Sequence, residues 1–507
     1  MNVVWLKRDL RTEDHRPLVE ACARGDVLVL YVVEPEWLAQ PETHPSHVAF
    51  LSQGLAELRE ELRRLGGELV IRVGSLPGAF EALHRERPFA ALFSHEETGN
   101  DVTYARDKRV AHWCREKGIP WHEFPQTGVV RRLAARDGWA RRWEERMRAQ
   151  VLPAPRALPA VRWSGLDPGP VPDEASLGLE RSDKHEVQEG GVRAAEATLA
   201  SFLDSRGQDY ARAMSSPVTA WDGCSRLSVA LAHGHLSMKQ VAHAVEARRR
   251  GLAEERSPEA ARWRTSLRAF DARLRWHCHF MQKLESEPAI EFRNFNRALD
   301  GLREADFSED RFAAWARGET GYPMVDACMR ALLATGWINF RMRAMLVSFA
   351  SYDLWLHWRR TGLHLARHFL DFEAGIHWSQ VQMQSGTTGI NTLRIYSPTK
   401  QVLDHDPTGV FIRRWVPELA RVPAGFLAEP WALPPLLQQA SGCVVGRDYP
   451  APIVDHREAV SLARQRISAF RRMPEVRKQA AEVMKKHGSR KRPPRRTGFK
   501  RRSPAPG

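Results

Sequence analysis

The chain has 507 residues, 43% hydrophobic, with a formal net charge of +15, enough for two or three domains with buried cores. Its apolar runs, such as VLVLYVV at 27–33, fall far short of the ~18 residues of a membrane span. The opening MNVVWLKRDLRTEDHR has no apolar signal-peptide core, so a cytoplasmic protein without membrane association is expected. Cys22, Cys114, Cys224, Cys278, Cys328 and Cys443 are widely spaced, which argues against zinc, a cysteine-ligated cluster and a disulfide framework, and no metal is expected.

Residues 1–128 alternate strand and helix patterns. VVWL (3–6), VLVLYVV (27–33), ELVIRVG (68–74), FAALFSH (89–95) and PWHEF (120–124) predict strands, and 47–67 carries apolar residues at helical spacing and stops at a Gly pair. This order predicts a doubly wound parallel sheet, a Rossmann-like α/β domain. No G-x-G-x-x-G or P-loop follows a strand, so ordinary dinucleotide and NTP sites lose support. Residues 129–193, rich in Pro, Gly and acid from 150 onward, predict an interdomain connector wrapped over the surface. Residues 194–470 predict an all-α second domain, including INFRMRAMLVSFASYDLWLHW as one helical run. Residues 471–507 predict a disordered basic tail: 477–507 holds twelve Lys and Arg against one Glu, most of the net charge. Such a tail binds phosphate nonspecifically, or serves only solubility.

One segment, FLDFEAGIHWSQVQMQSG (369–386), gathers two acids, a histidine, a tryptophan and three glutamines within apolar edges. It does not stand alone. VVWLKRDLRTEDHRPL at the start, GCSRLSVALAHGHLS (223–237), GETGYPMVDACMRALLATGWINFRMRAM (318–345) and LRIYSPTKQVLDHDPTGVFIRRWVPEL (393–419) together resemble the cryptochrome/photolyase family in order and spacing, from residue 1 to about 430. The resemblance implies FAD as cofactor. CSRLS supplies hydroxyls and a helix start suited to a pyrophosphate, although a Ser-Arg-Leu-Ser alone is more often a helix cap.

By resemblance, FAD is lined by Tyr210, Cys224, Ser225, Arg226, Leu227, Ser228, Phe270, His277, Trp337, Arg343, Asp353, Asp371, Glu373 and His377. Asp371 and Glu373 stand where the family places two acids near the ring and ribityl chain, and Arg343 matches the partner of the first. His377 falls at the position facing flavin N5, where a histidine is able to give or take a proton, or is a plain hydrogen-bonding core residue.

The departures concern activity. Repair enzymes of the family line the lesion cavity with two tryptophans, a glutamate and an asparagine; here Trp276 keeps one tryptophan, while Met383, Arg273 and Phe340 replace the other three. Arg341 is expected at DNA or the cavity edge. The family's three-tryptophan electron chain retains only its middle member, Trp358, with Val381 and Ala305 at the other places; Trp378, Trp337, Trp355 and Tyr352 are the substitutes considered. Asn339 and Phe340 stand where a 6–4 enzyme has paired histidines, and Thr103 where a folate-binding acid is common, so the antenna chromophore stays unassigned.

The resemblance thus implies a monomeric, FAD-dependent lyase that splits cyclobutane pyrimidine dimers in duplex or single-stranded DNA under light. A cryptochrome-like photoreceptor without lyase activity is the alternative, and a nucleotide-activating enzyme lacks the motifs it needs.

Overall fold

The computed structural model describes residues 1–159 and 165–489. The five predicted strands form: β1 (Asn2–Leu6), β2 (Val27–Val33), β3 (Leu69–Val73), β4 (Ala91–His95) and β5 (Trp121–Phe124), paired in parallel in the order β3-β2-β1-β4-β5. Central β1 pairs Val4 with Val29 on one side and with Phe93 on the other. It is buried on both faces, which is why it is apolar without alternation. The chain reverses its direction of sheet growth between β1 and β4, so a cleft opens at the carboxyl ends of those strands.

The principal helices, in chain order, are α1 (Pro45–Arg64), α2 (Asp101–Glu116), α3 (Trp139–Arg148), α4 (Val192–Asp204), α5 (Ser228–His233), α6 (Met238–Gly251), α7 (Pro258–Ser286), α8 (Pro323–Thr335), α9 (Phe340–Ser348), α10 (Trp358–His368), α11 (Ala374–Ser385), α12 (His456–Arg472) and α13 (Pro474–His487). Helix α1 buries Leu51, Leu55, Leu58 and Leu62 against the sheet. From α4 onward no strand forms among the described residues. Helices α7 and α11 approach closely at Gly375, where a Cβ would lie 2.6 Å from the Met281 Cα.

Three expectations are corrected. The run predicted as one helix over 338–358 divides: α9 passes into a π-turn at Phe349–Asp353, and the chain restarts at α10. Trp355 takes a left-handed φ of 57°, with its ring packed by the Arg303 and Arg466 guanidiniums. The connector contains α3, a helix hidden by its arginines and glutamates, whose Trp139, Trp143 and Met147 are buried at helical spacing; residues 160–164 of the connector lie outside the described residues.

The tail is not disordered throughout, since 474–487 form α13. Val476 and Val483 are buried on it, Asn296 Nδ2 donates to Val476 O, and Lys486 and His487 both reach the Glu287 carboxylate. A carboxylate and an apolar stripe thus hold a helix that charge alone argued against. Residues 490–507 of the tail lie outside the described residues.

The two domains join at Gly234. Its φ is +74°, and a Cβ there would lie 2.0 Å from the Arg8 carbonyl oxygen. The buried Arg11 spans the joint, donating to the carbonyls of Gly234 and Asp14. Gly234→Ala is expected to cost more than ~1 kcal/mol and to lower the melting temperature by several degrees. Gly251→Ala, at a position with open space, is expected to leave it near the parental value; thermal unfolding of both variants checks this.

Candidate functional site

The segment 369–372 crosses between the domains with its backbone held at nearly every group. His47 Nε2 bonds to Phe369 O at 3.1 Å, His233 Nε2 to Leu370 O at 3.3 Å, and Arg8 Nη1 to Phe372 O at 3.1 Å. Leu370 N donates to Gly336 O. Burial lowers the pKa of His47 to about 3 and that of His233 well below its ordinary value, so both rings are neutral donors.

The same segment aims its acids inward. Arg343 donates from Nη1 and Nη2 to the two Asp371 carboxylate oxygens, each at 2.9 Å. Burial favours the neutral acid, but the Arg343 charge and hydrogen bonds, with a further bond from Ser228, hold Asp371 below the usual carboxylate range. Glu373 Oε2 lies 2.6 Å from His277 Nε2 on α7. Burial opposes a charged ring there, yet Glu373 and contacts with Cys278 raise His277 to about 10. The structure therefore couples both acids to cations, as buried acids require.

Of the two readings of His377, the structure favours the hydrogen-bonding core residue. Its Nε2 donates to Gly362 O at 2.8 Å, and burial lowers its pKa to about 3. Held neutral with Nε2 protonated, it presents Nδ1 as an acceptor and has no second proton to give.

Facing these groups is the loop before α5. Arg206 gathers the carbonyls of Asp222, Cys224 and Ser225, shaping the loop from the inside. Burial pushes the Cys224 thiol up to about 12, so it is no nucleophile. Arg226 has a φ of +61° and does not point outward. Its guanidinium lies between Trp221 (3.8 Å) and Trp337 (4.1 Å), with Nε donating to Gln188 of the connector. Leu227 is buried, and Ser228 reaches Asp371. Tyr210 and Phe270 pack edge to face with Phe202.

Arg343, Asp371, Ser228, Glu373 and His277 are thereby tied together by hydrogen bonds and ion pairs, and Arg226 to Trp337 by ring contact. Asp353 is not: it turns to His456 on α12, and burial pushes it up to about 6. Sequence reasoning also missed Trp221, Gln188 and Asn339; Asn339 Nδ2 holds the Met214 and Ser215 carbonyls while its buried Oδ1 has no partner. Of these, only Asn339 sat in a recognised motif.

At the rim, Trp276 is 38% and Phe340 46% exposed. The Arg273 guanidinium lies 5.9 Å from the Phe340 ring and shares a hydrogen bond with Tyr210. Arg341 is half-buried beside Ser215, and Met383 is half-buried on α11. Trp358 is buried, its Nε1 donating to Asn294 Oδ1 at 2.7 Å, and Ala305 is exposed on a short turn.

Two clefts adjoin the site. One runs between the domains past Arg8, Thr98, His277 and Glu373. The other opens at the carboxyl ends of β1 and β2, lined by Trp5, Tyr31, Trp37, Thr103, Arg106 and Phe372. In it Arg106 pairs with Glu34 and Asp107. Nearby, Asp9 receives His95 Nδ1 at 2.7 Å and lies 3.0 Å from His15 Nε2. These ligand-type atoms are already in mutual contact, and His15 Nδ1 accepts from Leu18 N as a helix cap, so the cluster reads as part of the domain joint.

The histidines set a pH window. His47 and His233 have folded pKa values below the unfolded ~6.5, so their stabilisation is full above that pH and is lost as pH falls. His277 is raised, so its contribution is full below ~6.5 and is lost as pH rises toward 10. The melting temperature of the whole chain is expected to fall on both sides of neutrality. His277→Gln should flatten the alkaline limb and leave the acid limb, as thermal unfolding from pH 5 to 10 would show.

Comparison with known proteins gives the same assignment. Residues 2–152 match the family described as DNA photolyase, and residues 270–469 match the FAD binding domain of DNA photolyase. A cryptochrome DASH of Gloeobacter violaceus is 30% identical over 480 residues, 89% of this chain and 93% of the relative. The deoxyribodipyrimidine photo-lyase of Escherichia coli K12 is 30% identical over 482 residues, 90% of this chain and 96% of the relative. A crystal structure of a bacterial class III photolyase from Agrobacterium tumefaciens superposes with a TM-score of 0.79 at 25% identity, covering 93% of this chain and 98% of that one. Sheet, helical domain and sequence agree that the chain belongs to the cryptochrome/photolyase family and carries that family's FAD-binding domain.

Proposed function

We propose that the protein is a light-driven DNA repair lyase acting on cyclobutane pyrimidine dimers. The observation that carries this is the rim: two large aromatic side chains stand open to solvent, with the Arg273 guanidinium beside the Phe340 ring. Exposed apolar area of that kind suits unstacked bases, and the cation suits the phosphates that come with them. Trp276, Phe340 and Met383 form the apolar walls for a flipped-out dinucleotide, Arg273 and Arg341 its anion contacts. In its reduced form FAD supplies the light-driven electron that opens the dimer.

The chain's own share is binding, orientation and charge. The connected residues from Tyr210 to His377 hold the cofactor, while Asp353 is left out because it faces His456. Three features suit FAD: the serine-bearing loop beside Asp371, the Arg343–Asp371 pair that fixes its geometry, and the Asn339 Oδ1, which has no partner among the described residues. Neutral His377 offers Nδ1 to a donor on the ring, its Nε2 proton being engaged by Gly362 O. Photolyase and cryptochrome names both occur among the relatives. The receptor alternative draws on the replaced cavity residues and separates cheaply, because a receptor has no reason to prefer dimer-containing DNA in the dark.

The test is loss of a single thymine dimer from an oligonucleotide mixed with photoreduced protein, in blue light and in darkness. Light-dependent turnover is expected; none, with reduced FAD bound, would sink the proposal. Arg273→Glu is expected to weaken dark binding of that oligonucleotide at least tenfold, about 1.4 kcal/mol, without changing FAD content.

A further inference from the structure

Arg303 is an anomaly in the helical domain. Its side chain is fully buried, yet among the described residues its guanidinium forms no ion pair: Nε donates to Ser351 O at 2.9 Å, and Nη2 meets no acceptor. Burial pulls its pKa down to about 10, which still leaves it charged at neutral pH. The other deeply buried arginines are matched. Arg11 sits beside Asp9 and Asp14, and Arg106 pairs with Glu34 and Asp107. A buried charge is normally retained where something pairs with it.

The acids around Arg303 are committed elsewhere. Glu304 takes the Arg303 backbone N–H and faces His357 at 3.6 Å, while Asp306 pairs with Arg466 at 3.1 Å. Asp300 receives Asn294 Nδ2, and Asp353, in the same π-turn as Ser351, turns to His456. No carboxylate of the fold is therefore left to serve as the counterion.

What surrounds the guanidinium is a set of donors. It lies 4.6 Å from the Trp355 ring and 5.5 Å from the Tyr352 ring. Trp355 Nε1, the Tyr352 hydroxyl, Ser351 Oγ and, from α12, Arg471 Nε are buried and, like Arg303 Nη2, have no partner among the described residues. The Arg471 charge acts on the same phenol as that of Arg303. Guanidinium and indole N–H groups cannot accept a hydrogen bond, so these groups do not satisfy one another. Water would satisfy a donor and leave the charge unmatched. The backbone is bent to the same place, since Trp355 holds a φ of 57° that is strained for so bulky a residue.

We propose that Arg303, Trp355, Tyr352 and Arg471 form a buried site for one small monovalent anion of the halide class. Charge decides the valence, because Arg303 is the one fully buried cation of the group, Arg471 being half-buried. The lining decides the class: Leu302, Ala463 and Ile467 pack with the two rings, and an apolar wall is unsuited to a phosphate or sulfate, whose several oxygens each need a donor. Bound there, the ion ties α12 to the π-turn and to the segment that carries Arg303. The site rests on neither the flavin nor the lesion reading.

The experiment uses the full chain with bound FAD. Crystals grown in sodium bromide are expected to show an anomalous bromine peak within hydrogen-bond distance of Arg303 Nη2. In solution, replacing gluconate by chloride at constant ionic strength is expected to raise the melting temperature to a plateau by about 2 °C. The plateau separates binding from the general action of salt on stability, which keeps growing with concentration. Arg303→Met is expected to melt at one temperature in both salts. Trp355→Phe, which keeps the charge and removes one donor, is expected to raise the half-effective chloride concentration about tenfold. Should Arg303→Met fail to fold, the bromide map and Trp355→Phe still decide. A peak without a plateau would mark an adventitious ion only, and that result, a water in place of the peak, or a plateau unchanged in Arg303→Met would overturn the site.

Discussion

The rest of the site depends on the pinning of four residues, 369–372. Carbonyls at Phe369, Leu370 and Phe372 are each claimed by a side chain from a different place: the start of α1, the end of α5, and the loop after β1. None of these donors is local, so the segment is rigid only when both domains are folded and joined. Because the two histidine donors are neutral and buried, they supply direction without adding charge beside Asp371. The close approach at Gly234 then has a functional reading. It brings the Arg8 backbone against α5, and hence the Arg8 guanidinium within reach of Phe372.

With the backbone fixed, the acids have little freedom. Asp371 is shared between Arg343 on α9 and Ser228 at the start of α5, so the loop Cys224–Ser228 and the 369–373 segment are coupled through one carboxylate. Glu373, two residues on, answers to His277 on α7. Three helices therefore converge on adjacent acids of one short turn. A change at any of them, including the Gly375 contact that seats α11 on α7, is transmitted to the same place. Rigid support of this kind is what a light-driven electron transfer needs, since orientation matters more than any proton carried by the protein.

Much of this was legible in the sequence, and the reasons are physical. Strand positions followed from short apolar runs bounded by turn residues, and β2 forms over the very residues predicted, Val27–Val33. The motifs located Arg343, Asp371, Glu373 and His377 because each lies within a few residues of a strong local pattern. What pins the segment was not legible: its donors come from 322, 137 and 364 residues away, and no local pattern reports such separations. The pairing of Asp353 with His456 was not legible because a π-turn rotates the following side chains by an amount that helical spacing does not anticipate. The direction of Arg226 was not legible either: its left-handed backbone sends the guanidinium between two indoles. The α13 helix was overlooked because its charges masked a two-valine stripe whose partners lie near residue 296.

The placement of cations bears on what the site can accept. Arg343 is buried and its charge is already matched, oxygen for nitrogen, by Asp371; it fixes geometry and offers no net field to a new anion. Arg273 is exposed and, among the described residues, forms no ion pair; its contacts are the Tyr210 hydroxyl and the Met214 sulfur. Moving it to meet an incoming phosphate breaks only weak bonds. Arg343 and Asp371 thus neutralise each other inside, while the rim carries a mobile cation beside the open Phe340 ring. An acid at the same place would have repelled a polyanion approaching those rings, so the basic rim and the open apolar walls favour the same class of ligand.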